Sequence, residues 1–427
     1  MKSPWPTKKL GEICEEKKEK NVNNKNLPVF TVSHIYGLIP YQNIFYKQVH
    51  SKDTKNYKIV NRYDFTFGLP TKDTLPYGML ESEEKVLVSP AYTVFSIKNK
   101  NFLFPRFLYY LFKTNYYKWK IIEMAKSQSV TRHGLPLKFH HLAKLEILFP
   151  LLPIQQKIVK ILDTIQEAVE IQEKIIEKTK ELKKSLMAEL FKYGAPSFRN
   201  PEPEQARYGA RGRNLKKTEI GEIPEDWEVV RLGEYFEFKN GINFKKEQKG
   251  KGILVLDVLN MYTDSLYPNL NEIYRVEGSF SEEYYLKPGD ILFVRSSLKQ
   301  EGIGWCAVFS DFSEPVLFCG FLIRARPKTK KTNSNFLVYL FRTENFRNQI
   351  ISQSGVVTIT NLSQSILSNL LIPLPSLPEQ REIAEILQTI DQKIEIEKKK
   401  KELYEELFKT MLNKIMNQEI DVKKIEV

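Results

Sequence analysis

The stretch Leu152-Pro153-Ile154-Gln155-Gln156-Lys157-Ile158-Val159-Lys160-Ile161-Leu162 returns as Leu377-Pro378-Glu379-Gln380-Arg381-Glu382-Ile383-Ala384-Glu385-Ile386-Leu387, 225 residues later. The register continues without a gap: Thr164-Ile165 matches Thr389-Ile390, Glu170-Ile171 matches Glu395-Ile396, and Glu181-Leu182 matches Glu406-Leu407. A repeat at this spacing governs how the rest of the chain is divided. Upstream, Phe107-Leu108-Tyr109-Tyr110-Leu111-Phe112-Lys113-Thr114 resembles Phe336-Leu337-Val338-Tyr339-Leu340-Phe341-Arg342-Thr343, and Leu10-Gly11-Glu12 resembles Leu232-Gly233-Glu234. Their offsets, 229 and 222, place small insertions and deletions between the copies. Each copy reads as a globular segment of about 150 residues followed by a long helix.

The helical period is strong over 154–192 and 379–416. Alternating steps of four and three give Ile158, Leu162, Ile165, Val169, Gln172, Ile176, Thr179, Lys183, Leu186 and Leu190 in the first copy. The second gives Ile383, Leu387, Ile390, Ile394, Glu397, Lys401, Tyr404, Phe408, Met411 and Ile415. Both seams are apolar at the ends and polar in the middle, the pattern of a coiled coil with a weak central register. The stripes lack the width of a helix that packs only on its own domain. Pro153 and Pro378 suit a helix start, where the missing N–H has no intrahelical partner, and Glu379 favours the positive end of the helix dipole. Gly194 suits a left-handed terminator. Helices of nearly 40 residues extend about 60 Å. If the copies pack about a local dyad, the helices run antiparallel and the globular segments lie at opposite ends.

The fold class expected is α+β: two similar mixed α/β domains joined by two long helices packed as an antiparallel coiled coil, with an internal pseudo-twofold repeat. The expected spans are a first domain at 1–150, a spacer helix at 151–193, a linker at 194–226, a second domain at 227–376, a second helix at 377–417 and a tail at 418–427. The linker assignment rests on Pro196, Pro201, Pro203, Gly209, Gly212, Gly221 and Pro224 among charged residues.

Composition bounds the function. The 427 residues are 42% hydrophobic and 27% charged, with a net charge of +13, which describes a folded, basic protein. No run approaches the roughly 18 apolar residues of a membrane span, and the N-terminus lacks a signal-peptide core, so a cytoplasmic location is expected. Cys14, Cys306 and Cys319 have no Cys-x-x-Cys spacing and read as small core residues. The Walker, zinc-protease and nucleophile-elbow motifs are absent. His133, His140 and His141 lie close in sequence in a basic segment, without the carboxylates a metal site would need. No enzyme activity, metal or cofactor is expected of this chain.

Two copies, a rigid spacer and excess positive charge fit a long anionic polymer contacted at two points, and duplex DNA is the natural candidate. The repeated Leu-Pro-x-Gln helix start, preceded by Ile147-Leu148-Phe149-Pro150-Leu151 or Ile372-Pro373-Leu374-Pro375-Ser376, resembles the repeated helical region of type I restriction-modification specificity subunits. Ile223-Pro224-Glu225-Asp226-Trp227-Glu228-Val229-Val230-Arg231-Leu232-Gly233 resembles the start of their second target recognition domain, and Gly289-Asp290-Ile291-Leu292-Phe293-Val294-Arg295-Ser296 a strand and loop within it. The first copy departs there, with Tyr63-Asp64-Phe65-Thr66-Phe67-Gly68.

The resemblance implies that each globular segment reads one half of a split, asymmetric DNA site. It implies helices that fix the gap and help dock two modification subunits, which would carry S-adenosylmethionine and the adenine methyltransferase chemistry. A restriction subunit with motor and nuclease functions would join that complex.

Arg can grip guanine and Asn or Gln adenine in bidentate fashion, while Lys mainly neutralises phosphate. The matched polar loops come first: Ser127, Gln128, Thr131, Arg132 and His133 in the first copy, and Gln353, Thr358, Thr360 and Asn361 in the second. Tight connectors whose hydroxyls satisfy their own backbone are the bland alternative. Lys245, Lys246, Arg295, Lys299 and Gln300 follow in the second copy, and Lys52, Arg62 and Lys72 in the first. The run Arg324-Ala325-Arg326-Pro327-Lys328-Thr329-Lys330-Lys331 reads as a solubilising turn or a clamp on the DNA backbone, and the aromatics from Phe102 to Trp119 as a nucleic-acid stacking surface or, at helical spacing, as core.

Three other readings compete: a self-sufficient methyltransferase or nuclease, a coiled-coil scaffold whose end domains bind proteins, and a non-specific DNA-binding protein. Charge is uneven between the copies. Residues 1–150 hold 24 basic and 12 acidic side chains, whereas 227–376 hold 17 and 15.

Overall fold

The computed structural model describes residues 5–44, 51, 53–126, 135, 137–199, 213–297, 299–353 and 360–425. The chain forms two compact units, the first made of Met1–Gln172 with Lys400–Val427 and the second of Glu173–Lys399. Each unit therefore owns one globular domain, the start of the helix that comes after it and the end of the other long helix.

In the first unit, β1 (Thr7–Lys9) pairs antiparallel with β10 (Glu146–Leu148), bringing the two ends of the domain together. A short helix, α1 (Leu10–Ile13), leads to β2 (Cys14–Glu16). This strand opens a sheet of order β2-β9-β6-β7, where β6 is Phe65–Phe67, β7 Tyr77–Met79 and β9 Thr93–Ile97. Alternation sets the faces: Phe65, Phe67, Phe95 and Ile97 enter the main core, while Val94 enters a smaller one with Phe30, Val60 and Val86. Hairpin β3 (Phe30–Ser33) and β4 (Gly37–Pro40), and the pair β5 (Lys58–Asn61) and β8 (Lys85–Val88), cover that second face. Helices α2 (Pro105–Lys113), α3 (Asn115–Lys126) and α4 (Phe139–Leu142) cover the first. Of the aromatic run, Phe107, Tyr110, Phe112 and Tyr117 are buried, while Tyr116 and Trp119 are exposed.

The second unit opens with a hairpin, β11 (Leu215–Thr218) and β12 (Gly221–Pro224), and then repeats the plan. β13 (Glu228–Arg231) pairs with β23 (Leu371–Leu374), and α6 (Leu232–Tyr235) leads to β14 (Phe236–Asn240). The sheet order is β14-β21-β17-β19, with β17 Ile291–Val294, β19 Cys306–Val308 and β21 Leu322–Pro327. Ile291 and Phe293 point into one core while Leu292 and Val294 point into another, so this sheet is covered on both sides. A second sheet runs β16 (Tyr274–Val276), β15 (Lys249–Leu256), β20 (Val316–Phe318), and α7 (Val258–Met261) comes after β15. A short ladder joins β18 (Ser296–Ser297) to β22 (Thr360–Asn361). Helices α8 (Ser334–Phe341), α9 (Glu344–Gln353) and α10 (Gln364–Asn369) complete the match to α2, α3 and α4.

The two long helices are α5 (Leu152–Tyr193) and α11 (Leu377–Met416). In the first unit, Ile158 and Leu162 near the start of α5 share a core with Leu412 and Ile415 near the end of α11. In the second, Lys183 pairs with Asp391 while Ala195 N donates to Glu379, so partners on α11 fall as positions along and after α5 rise. That segment of the pair is antiparallel. Gly194, at φ +78°, ends α5 with its N–H donating to Leu190 O.

The glutamine shared by both copies of the repeat has a structural task that spacing alone did not reveal. Gln155 is fully buried; its Oε1 accepts from Phe104 N and its Nε2 donates to Phe102 O and Pro150 O. Gln380 does the same with Asn333 N, Lys331 O and Pro375 O. Each amide locks the first turn of a long helix onto the loop before its domain's helical pair.

Two expectations need correction. The segment at Tyr63 differs from Gly289-Asp290 in sequence only: Tyr63 adopts φ +69° and Gly289 φ +90°. Asn61 N donates to Asp64 Oδ2 as Lys287 N does to Asp290 Oδ2, and Leu80 N and Phe309 N complete the same turn. The basic run at 324–331 is not a solvated turn at its start. Arg324 is buried and donates to Glu283 O, and Arg326 forms a two-point pair with Asp290, at 2.8 and 2.7 Å.

Candidate nucleic-acid interface

The site in the second unit grows from the end of β17. Arg295 N donates to Phe321 O at 2.8 Å, and Leu362 N donates to Arg295 O at 2.8 Å, so the chain leaving β17 is held between the β20–β21 turn and the segment entering α10. Ser296 and Ser297 then pair with Asn361 and Thr360, and Ser296 Oγ donates to Asn361 Oδ1. Tyr262 Oη reaches Ser297 Oγ at 3.4 Å. Gly302 permits this crowding, because a Cβ there would lie 2.4 Å from Ser297 Oγ and 2.6 Å from Tyr262 Oη.

Two cations adjoin this ladder. Lys299 is exposed, with its backbone N–H on Ser297 Oγ. Arg295 is half-buried and donates to Gly320 O at 3.2 Å, which fixes the guanidinium beside the turn. Gly320 N donates to Ile242 O, and the chain continues from Ile242 to the exposed Lys245 and Lys246, whose turn is closed by Gln248. Exposed Gln353 ends α9, whose Arg347 donates to Glu301 O in the same loop as Lys299. The structure thus gathers Arg295, Lys299 and Asn361 around one loop cluster, while the turn of Lys245 and Lys246 is tied through Gln248 to Glu277. Gln300 and Thr360 belong to it by backbone position, while Thr358 lies outside the described residues.

The first unit repeats the framework. Leu135 N donates to Pro70 O at 2.9 Å, the counterpart of the Leu362–Arg295 bond. Pro70 leads into a turn closed by Thr71 and Thr74, where Lys72 is exposed. Ser127, Gln128, Thr131, Arg132, His133 and Lys52 lie outside the described residues. Arg62 is not brought to this site. It precedes β6 while Lys72 comes after it, and it pairs with Glu84 at 3.0 Å.

Other cations have internal partners. Lys58 is half-buried, donates to Tyr92 O and has its pKa lowered by that burial. Lys239 pairs with Glu283, and Lys249 lies 3.7 Å from the Tyr274 ring centroid. Cys14, Cys306 and Cys319 are buried thiols, and burial pushes Cys14 up to about 12 and Cys306 to about 11. Among the described residues no group of three or more His, Cys, Asp or Glu could hold a metal, and no helix is long and apolar enough to cross a membrane. Sequence reading missed Ser297 and Tyr262; the signal for Ser297 was the hydroxyl pair Ser296-Ser297 one residue after the strand of the Gly289-Asp290 segment.

The profile described as "Type I restriction modification DNA specificity domain" matches residues 2–181 and 224–406. The chain is 28% identical over 440 aligned positions to the type I restriction enzyme MjaVIII specificity subunit of Methanocaldococcus jannaschii, covering 99% of this chain and 94% of that one. A solved chain from work on complex assembly and conformational transition of the type I R-M system shares the fold, with TM-score 0.57, 18% identity and 97% coverage of each chain. So does the S subunit of a type I restriction-modification system from M. genitalium, with TM-score 0.52, 14% identity and coverage of 97% and 96%. Two profile matches, falling on the two structural copies, place this chain in the type I restriction-modification specificity family, as a DNA sequence-specificity subunit with both recognition domains present.

Proposed function

We propose that each unit reads one half of a bipartite, asymmetric DNA site through the loop cluster after β6 or β17. The carrying observation is the duplication of that cluster: a backbone tie from the post-helical segment to the chain leaving the central strand, in both copies. Exposed hydroxyl, amide and cationic groups are gathered there in the second copy, the chemistry for base edges and phosphates. The long helices set the spacing between the halves and dock two modification subunits. Exposed apolar side chains on them support docking: Leu182 and Ile396 in the second unit, Leu403 and Leu407 in the first. The modification subunits supply S-adenosylmethionine and adenine methylation, a restriction subunit joins the complex, and this chain works in the cytoplasm as a recognition component without catalysis.

The test is co-expression with the cognate modification subunit, followed by mapping of methylated adenines. The expected result is one motif made of two short specific parts separated by a fixed unspecified gap. A methylome without such a motif would contradict the reading.

A further inference from the structure

Exposed hydrophobic residues scattered singly mean little on a protein surface. In the second recognition domain two of them stand together. Among the described residues of 213–376, the exposed large hydrophobic side chains are Leu259 at 84%, Phe321 at 60% and Tyr262 at 46%, and two of these residues meet the chain of the Ser296, Ser297 and Asn361 ladder or the residue next to it. Tyr262 touches Ser297, Phe321 O accepts from the backbone of Arg295, and Leu259 stands on α7, three residues before Tyr262 in the chain.

The first unit presents the same chemistry at the matching place. β15 runs parallel to β20, the strand before the sheet strand β21; the chain at Val29 runs parallel to β8, the strand before β9. Leu259 and Tyr262 come shortly after β15, and Ile35, at 67% exposure, and Tyr36, at 68%, come shortly after β3. The hydroxyl of Ser33 accepts from both Ile35 N and Tyr36 N, which holds that tip in a defined turn. An aliphatic and a tyrosine thus stand exposed after the equivalent strand of each copy, although the two stretches share little sequence.

We infer that these apolar side chains are specificity-determining residues that touch thymine 5-methyl groups in the major groove of duplex DNA. The inference rests on the DNA-reading function proposed above and deepens it. Asn361 offers the amide that pairs with an adenine edge in the major groove, and the thymine opposite displays its methyl in that same groove. Lys299 and Arg295, next to the ladder, supply the phosphate contacts that would seat a duplex over this patch. A protein partner would be served by apolar side chains alone; the hydroxyl–amide ladder beside them and the exposed Lys299 next to it favour DNA.

The experiment uses the complex of this chain with its modification subunits and a duplex carrying the mapped motif. Wild-type affinity is measured for that duplex, for a random duplex, and for the motif with deoxyuridine replacing thymine in one half-site at a time. Loss of a methyl contact should weaken wild-type binding roughly fourfold, from about 0.8 kcal/mol per buried carbon. The variant L259A/F321A should bind the motif about tenfold more weakly, bind the random duplex as before, and no longer distinguish thymine from uracil in its half-site. I35A should behave likewise for the other half only. Unchanged motif affinity and thymine preference in these variants, beside a wild type that binds the motif specifically, would overturn the inference alone. So would loss of complex assembly with DNA affinity of the isolated chain intact, which would make the patch a protein contact. A wild-type complex with no preference for the motif would instead overturn the underlying function.

Discussion

The two units build the same turn before their central strand around differently served carboxylates. In the second, Asp290 is buried against Arg326, which grips both of its oxygens. In the first, Asp64 is buried with hydrogen bonds from Asn61 N and Asn61 Nδ2, and the residue matching Arg326 is Ser96. Burial raises the Asp64 carboxyl above its ordinary value, with the Asn61 hydrogen bonds and then Lys17 and Lys100 only partly offsetting the effect. The turn geometry is thus held by the backbone and the aspartate's acceptor oxygen, and the ion pair is an addition in one copy. A similar contrast marks the helix starts. Glu379 is buried and accepts from Ala195 N, Arg213 and Trp227 Nε1, whereas the matching residue of the first copy is Ile154, half-buried and apolar.

The largest effect expected from breaking this contrast is at the helix starts. Glu379→Ala leaves Arg213, whose side chain is only 7% exposed, with Asp226 as its remaining carboxylate and strips Ala195 N and Trp227 Nε1 of their acceptor, and should destabilise the second unit by about 3–5 kcal/mol. Ile154→Ala should cost the first about 1–2 kcal/mol. Hydrogen exchange of amides in each unit would separate the two.

The glutamine clamps should respond alike. Gln155→Ala and Gln380→Ala each remove three hydrogen bonds from buried surroundings, about 3 kcal/mol in either unit. Markedly unequal denaturation midpoints for the two variants would show that the clamps are equivalent in geometry only.

The aspartates should diverge. Asp290→Asn breaks the Arg326 pair and should cost about 2–3 kcal/mol; Asp64→Asn keeps an acceptor for Asn61 N and should cost less than about 1 kcal/mol at neutral pH. The sign with pH is set by the raised pKa. The stability contributed by Asp64 is complete below the ordinary carboxylate value and is lost as pH rises through its folded value. Stability of the wild type should therefore fall over that window relative to Asp64→Asn, as measured by denaturation across acidic pH.

A smaller effect concerns charge. Residues 1–150 hold twice as many basic as acidic side chains, 24 against 12, and 227–376 nearly equal numbers, 17 against 15. Reversing a lysine near the first site, such as Lys72→Glu, should reduce the salt slope of DNA binding more than Lys299→Glu in the second. Equal reductions would mean that local patches, not net charge, govern binding.

Much of this was legible in the sequence. The register of Leu152 on Leu377 showed the duplication and both helices, because a strict helical period over forty residues leaves a pattern that survives divergence. The equivalence of Tyr63 with Gly289 was hidden, since a left-handed turn is ordinarily signalled by glycine and tyrosine can occupy it when the surrounding hydrogen bonds hold it there. The interface was half legible. Asn361, Arg295 and Lys299 stood out by residue type, but the distinction between Lys72 and Arg62 depends on which end of β6 each occupies. The tie between Arg295 and Leu362 joins residues far apart in sequence, which no local spacing encodes.

The central claim is that the two units read separate halves of one site. Its most direct test is the methylome of cells expressing the modification subunit with Ser296→Ala/Asn361→Ala in this chain. The account predicts that sequence preference relaxes in one half of the motif while the other half and the gap stay unchanged. Relaxation of both halves together, or a motif identical to that of the wild type, would contradict it.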